Sequence, residues 1–164
     1  AYGHAQLPEN SNRIDRIFAH EYTHLLHKAW ATKKHVQLLS FRDSILWECW
    51  YEGMGNYRSL QAKWLPVNGV LPAISQQVLD SLCTTFANRM HIVQTKAMLT
   101  AAEKQQIQAN LSSGHFNKKW GAVPIAIWLA LEARGNDNNL IPLINMGSAA
   151  VDYLASKYMT CAHQ

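Results

Sequence analysis

Apolar residues recur every third or fourth position along most of this chain. The segments are closed off by proline, glycine and helix-capping pairs, and no stretch alternates apolar with polar residues as a half-buried strand would. Ile14, Ile17, Phe18, Leu25 and Ala29 mark one helical face over residues 12 to 30, with Asn12 as the expected N-cap and the first eleven residues as an extended lead-in. Ser40 and Asp43 have capping-box spacing and open a second predicted helix, from 41 to 63, ending before Pro66. A third is expected from Ser75 through Met90. Thr100 and Glu103 form another capping box, starting a short helix that stops by Leu111. A further helix should cover Gly121 to Arg134, with Pro124 tolerated in its first turn and Gly135 as its stop, and a last one Leu140 to Tyr158. The class implied is mainly α, with little or no sheet: one compact, bundle-like multi-helix domain over residues 1–164.

Composition narrows the function classes. Hydrophobic residues make up 48% and charged residues 16% of the 164, which is the balance of a chain that can bury a core. Six tryptophans are enough to fill a core and line a cleft as well. The net charge of +4 is spread over scattered sites such as Arg13, Arg16, Lys33, Lys34, Lys118 and Lys119, with no basic stripe, which argues against a nucleic-acid partner. The longest apolar run, Ala122 to Leu131, is too short for a membrane span. Cys49, Cys83 and Cys161 are widely spaced and form no C-x-x-C pair, so a cysteine zinc site is not expected. One disulfide stays open, and so does the compartment.

One pentapeptide carries chemistry. His20-Glu21-Tyr22-Thr23-His24 is an H-E-x-x-H sequence inside the first predicted helix. Residues four apart lie one turn apart on the same face, about 5–6 Å between Cβ atoms. Two imidazoles so placed can converge on one zinc ion at Zn–N distances of about 2.0–2.1 Å. Glu21 is offset by one residue, so it can reach a water at the metal without ligating, which is where a general base belongs. A catalytic zinc site needs a third protein ligand, and the second predicted helix offers Glu48 and Glu52, one turn apart.

The segment Glu52-Gly53-Met54-Gly55-Asn56-Tyr57 decides between the two carboxylates by resemblance. With the H-E-x-x-H sequence upstream, residues 12 to 60 resemble the gluzincin zinc metallopeptidases, especially the aminopeptidase-N and glycyl-aminopeptidase branches. There an aromatic-rich helix carries a glutamate ligand followed by Gly, an apolar residue, a small residue, any residue and Tyr. The resemblance implies Zn2+ held by His20, His24 and Glu52, with Glu21 as general base in peptide-bond hydrolysis. Glu52 follows His24 by 28 positions, a longer separation than in those branches. Gly53 and Gly55 can serve close helix packing and the metal site together. Asn56 stands where the thermolysin branch has an acidic residue that orients a ligand histidine. Tyr57 is expected to pack against the metal helix.

The resemblance also implies a donor for the developing oxyanion, for which His115, Tyr153 and Tyr158 are the candidates, with His115 preferred because it follows the flexible Ser112-Ser113-Gly114. His27, one turn past His24, reads as a partly exposed histidine and not a fourth ligand; His35 and His91 read as surface residues. The implied partner is a peptide or protein substrate. Gluzincins hold that substrate along an edge strand, and only 19 residues precede His20, with Tyr2 to Leu7 as a conceivable strand remnant. A longer protein extended at its N-terminus, or a partner supplying the strand, is therefore expected. The competing reading is a metal-binding or inactive peptidase-like interaction domain.

Overall fold

Seven α-helices follow one another in the computed structural model, which describes the backbone of residues 8–159 and the side chains of residues 12–159. They are α1 (Pro8–Lys33), α2 (Phe41–Arg58), α3 (Ala73–Thr95), α4 (Ala101–Gln108), α5 (Ala122–Ala133), α6 (Ile141–Met146) and α7 (Ala149–Met159), with short 3-10 turns at Ala62–Trp64, Phe116–Lys118 and Asp137–Leu140. There is no strand among the described residues, only an isolated bridge between Val67 and Val70. None of the described helices is long and apolar enough to cross a membrane. Tyr2 to Leu7 lie outside the described residues.

α5 is the hub. It is apolar on every side, and a helix of that kind has to be covered on every side. Ala122 through Ala130 are all buried, and α2, α3 and α7 pack around them. Phe86 of α3 meets Trp120 and Trp128 edge-on, with ring centroids 5.9 and 5.4 Å apart. Trp120, Trp128 and Trp50 are the largest fully buried side chains, while Trp30, Trp47 and Trp64 sit half-buried at the edges. Cys49 and Cys83 are free thiols, and Cys161 lies outside the described residues.

Both expected capping boxes form. Asp43 N–H donates to Ser40 Oγ at 3.1 Å, and Glu103 N–H to Thr100 Oγ1 at 3.3 Å. Other boundaries differ from expectation. Helix α1 starts at Pro8, so Asn12 lies inside it and is not its cap. α2 stops at Arg58, because Ser59 N–H bonds back to the Asn56 and Tyr57 carbonyls in a tightened final turn. The last predicted helix is broken at Gly147, where φ is +61° and a Cβ would lie 2.8 Å from Trp30 Cη2. The indole of α1 occupies the space that any side chain there would need.

The largest difference concerns α1. Its apolar stripe faces outward: Ile14, Phe18 and Leu25 are 45, 66 and 62% exposed. The face turned to the body carries Thr23, His24 and His27, all buried, and none of the described side chains of α1 belongs to the hydrophobic core. Helical periodicity found the stripe, but the face that turns to the body is the histidine face, opposite it on the same cylinder.

α2 meets α5 through Gly53. A Cβ at this position would lie 2.5 Å from Ile125 Cγ2 and 2.7 Å from Ile125 Cβ. Ile125 is fully buried, and its Cβ cannot rotate away. Gly53→Ala gains about 1 kcal/mol of helix propensity but forces apart two packed helices, and overpacking costs about 1–3 kcal/mol. The clash should win. Thermal unfolding of Gly53→Ala is expected to show a lower melting temperature than the parent, and an unchanged or higher one would contradict this packing.

Candidate metal centre

His20 and His24 are brought to α2 by the helical turn between them, and Glu52 rises from α2 to meet both. His20 Nε2 and His24 Nε2 are 2.9 Å apart. Each is 3.6 Å from a Glu52 carboxylate oxygen, Oε2 for His20 and Oε1 for His24. One nitrogen or oxygen from each of the three residues falls within 4.8 Å of the others, and this is the group of side chains among the described residues that could hold a metal ion.

Gly55 makes the approach possible. A Cβ there would lie 2.8 Å from His20 Cε1 and 2.9 Å from His24 Cε1. The two glycines of the Glu-Gly-x-Gly sequence therefore have separate tasks: Gly53 admits α5 and Gly55 admits the imidazoles. His24 lies flat on Tyr51, with ring centroids 3.9 Å apart and planes 7° from parallel. The His24 Nδ1 atom is buried without a hydrogen-bond partner among the described residues, so this stack and Gly55 set the ring's orientation.

The shifts of Glu52 and His24 both lie in the direction that suits ligation. The His20 contact holds the Glu52 carboxyl below its usual range against the opposing effect of burial, and the charges of His24 and Lys119 act in the same direction as His20. Burial pulls the His24 pKa down, with Glu52 opposing. An ionised carboxylate and neutral imidazoles are the forms in which these groups bind metals.

Glu21 is exposed and lines a cleft of about 280 Å³ together with His20, Asn56, Ser59, Arg13, Arg16, Ile17 and Lys119. Lys119 was invisible as a site residue in the sequence. It lies 67 positions beyond Glu52, and only the fold of the segment before α5 places it here. His115 is exposed, caps the Phe116–Lys118 turn, and is not among the residues lining this cleft. Tyr153 is 42% exposed, and the Tyr158 hydroxyl donates to Glu132 at 2.7 Å, so neither tyrosine is among the cleft-lining residues.

The remaining candidates have local roles. Glu48 accepts a hydrogen bond from Ser112 Oγ at 2.7 Å and is absent from the metal-capable group. The Asn56 amide nitrogen donates to the Glu52 carbonyl at 2.7 Å, one turn back on its own helix. Tyr57 donates its hydroxyl to Asp137 at 2.6 Å while lining a second cavity with Phe18, Tyr22 and His27 of α1. His27 is buried, only 5% exposed, contrary to the partly exposed residue expected. It sits among Trp47, Trp50 and Tyr51, where burial pushes its pKa down to about 4, so it is neutral near pH 7. His35 and His91 are exposed, as expected.

Comparison of the chain with family models, with curated proteins and with solved structures finds no match.

The geometry ranks the carboxylates. Glu52→Ala should weaken metal binding strongly, by a hundredfold or more on the scale of about 10–100-fold recorded for losing even an outer-sphere partner. Glu48→Ala should change it little. Competition titration against a chromogenic chelator gives both constants, and the opposite ranking would move the ligand role to Glu48.

Proposed function

We propose that this protein is a zinc-dependent peptidase in which His20, His24 and Glu52 hold the ion and Glu21 acts as general base. One observation carries the reading: side chains from two helices, 28 positions apart in sequence, converge as two imidazoles and one carboxylate with Glu21 in the adjoining cleft. The fit to zinc is good on donor chemistry and spacing. Separations of 2.9 and 3.6 Å suit atoms about 2.0–2.1 Å from a shared ion, with the two imidazoles spreading by a few tenths of an ångström. Three protein ligands leave a position open, which is the arrangement of catalytic and not structural zinc sites.

Zinc supplies a Lewis acid that makes water nucleophilic near neutral pH. The protein's own residues do the rest. Glu21 accepts the proton of the attacking water and returns it to the leaving amine. Lys119, the cation of this cleft whose charge acts on Glu52, is the candidate to balance negative charge developing on the carbonyl oxygen, a role that sequence reasoning gave to His115. The tight floor of α2 on α5 keeps the ligand carboxylate in place.

Two outcomes are expected. Zinc-reconstituted protein should carry about one ion per chain, and the His20→Ala/His24→Ala variant none. Glu21→Gln should keep the ion and lose peptide hydrolysis by about 10²–10⁴-fold, the usual contribution of a positioned acid–base group. Retained turnover in Glu21→Gln would remove the general-base role, and equal zinc in the double histidine variant would remove the centre.

A third outcome concerns stability. An ion that joins α1 to α2 adds about 2.7 kcal/mol at a hundredfold excess over its dissociation constant, and each kcal/mol moves the melting temperature by about 2–4 °C in a domain of this size. Chelation should lower the melting temperature by several degrees and raise amide exchange first in α1, none of whose described side chains lies in the core. The α2–α5 body should stay folded. An unchanged melting temperature after proven zinc removal would mean that the ion does not bridge the two helices.

A further inference from the structure

The cleft beside the metal-capable cluster has a charge pattern of its own. Arg13, Arg16 and Lys119 line it together with His20, Glu21 and Asn56. Arg13, Arg16 and His20 are spaced i, i+3 and i+7 on α1, so they fall along one face that runs from the cluster past the end of α2. Lys119 closes the cleft from the segment before α5, and its charge reaches Glu52. Three cations and one carboxylate, Glu21, thus line the cleft.

Neutralising the C-terminal end of α2 is the simplest structural role for the two arginines. The carbonyls at that end already have partners. Ser59 N–H donates to Asn56 and Tyr57, Ser59 Oγ to Asn56 at 3.0 Å, and Leu60 N–H to Tyr57 at 3.2 Å. No hydrogen bond or ion pair joins Arg13, Arg16 or Lys119 to any other described residue, in contrast to Arg42 and Arg58, which pair with Asp152 and Asp137. Guanidinium groups on one helix face next to a hydrolytic centre suit a carboxylate, which they bind bidentately.

We propose that this cleft is a carboxylate-binding subsite, so that the substrate is a peptide with a carboxylate within about three residues of the cleaved bond. The inference rests on the peptidase reading above. The distance limit follows from the helix. At 1.5 Å per residue, Arg16 is about 6 Å and Arg13 about 10 Å from His20 along the axis, and an extended peptide advances about 3.3–3.6 Å per residue. An acidic side chain and a free C-terminus both supply this chemistry. The first belongs to an enzyme that cuts beside Asp or Glu, the second to one that trims short C-terminal pieces.

The test uses zinc-loaded Glu21→Gln protein, which should bind peptides without cleaving them, and fluorescence anisotropy with three labelled nonapeptides of the same Ala-Ser background. One is amidated and neutral, one is amidated with a single internal Glu, and one has a free C-terminal carboxylate and no Glu. One of the two anionic peptides should bind about tenfold more tightly than the neutral one, the scale of a hydrogen bond to a charged group. Whichever it is identifies the source of the carboxylate. Adding Arg13→Gln and Arg16→Gln should abolish the preference. Adding Lys33→Gln and Lys34→Gln, which removes the same charge from the far end of α1, should leave it intact. Zinc analysis of every variant separates the two layers. Equal binding of all three peptides by protein that holds zinc overturns the subsite and leaves the metal centre standing, as does an equal loss in the Lys33/Lys34 control. Absence of zinc from the Glu21→Gln protein overturns the peptidase reading and this inference with it.

Discussion

The approach of two imidazoles to the backbone of Gly55 is the contact on which the arrangement of α1 depends. None of the described side chains of α1 belongs to the hydrophobic core, and the buried ones among them are Thr23, His24 and His27. A helix normally docks by burying an apolar stripe, each large side chain contributing about 1.5–3 kcal/mol. Here the seat is instead made of rings: His24 on Tyr51, His27 among Trp47, Trp50 and Tyr51, and Trp30 over Gly147. Such a seat depends on shape. A methyl group at position 55 or 147 would fill space that α1 already occupies.

The body beneath α1 has the opposite character. α5 is buried all round, and α2 lies against it without a side chain at Gly53, so the helix that carries Glu52 is fixed by close-packed apolar contacts. One of the three metal-capable side chains therefore comes from the close-packed body and two from the helix least tied to it. Whatever shifts α1 also separates the imidazoles from Glu52, so the cluster exists only while α1 is docked. The same coupling explains why α2 tolerates two glycines that cost about 1 kcal/mol each in helix propensity: one glycine seats the carboxylate helix and the other admits the nitrogens that face it.

Much of this was legible in the sequence, and the failures have physical causes. H-E-x-x-H and Glu-Gly-x-Gly are local patterns, and local patterns on helices translate directly into faces. The capping boxes at Ser40 and Thr100 are complete within four residues and formed as read. Three things escaped because they depend on what another element does. The apolar stripe of α1 points outward because the histidines take the inner face. Gly147 interrupts the last helix with a φ of +61°, and Trp30, more than a hundred positions earlier, fills the space a side chain there would need. His27 is buried because three aromatic residues of α2 close over it. Lys119 belongs to the same class: nothing around it in sequence resembles a site, and only the path of the chain into α5 delivers it to the cleft.

The orientation of His24 shows how the aromatic residues of α2 bear on the site. A ligand histidine is usually held by a hydrogen bond from its second ring nitrogen to a carboxylate or carbonyl, which fixes both tautomer and plane. His24 Nδ1 is buried and has no such partner among the described residues, and Asn56, the residue spaced to act as an orienter, spends its amide nitrogen on the Glu52 carbonyl. Tyr51 supplies the plane instead, through a stack only 7° from parallel, and Gly55 lets the ring slide in edge-on. A stack fixes orientation while leaving the tautomer to the ligand nitrogen itself. With Nε2 turned toward Glu52 and free of a second-nitrogen constraint, His24 can present its lone pair at Nε2 by carrying its proton on Nδ1. Tyr51 thus does by shape the work that a hydrogen-bonded orienter would do by charge, while Trp47 and Trp50 pack around His27 one turn further along α1.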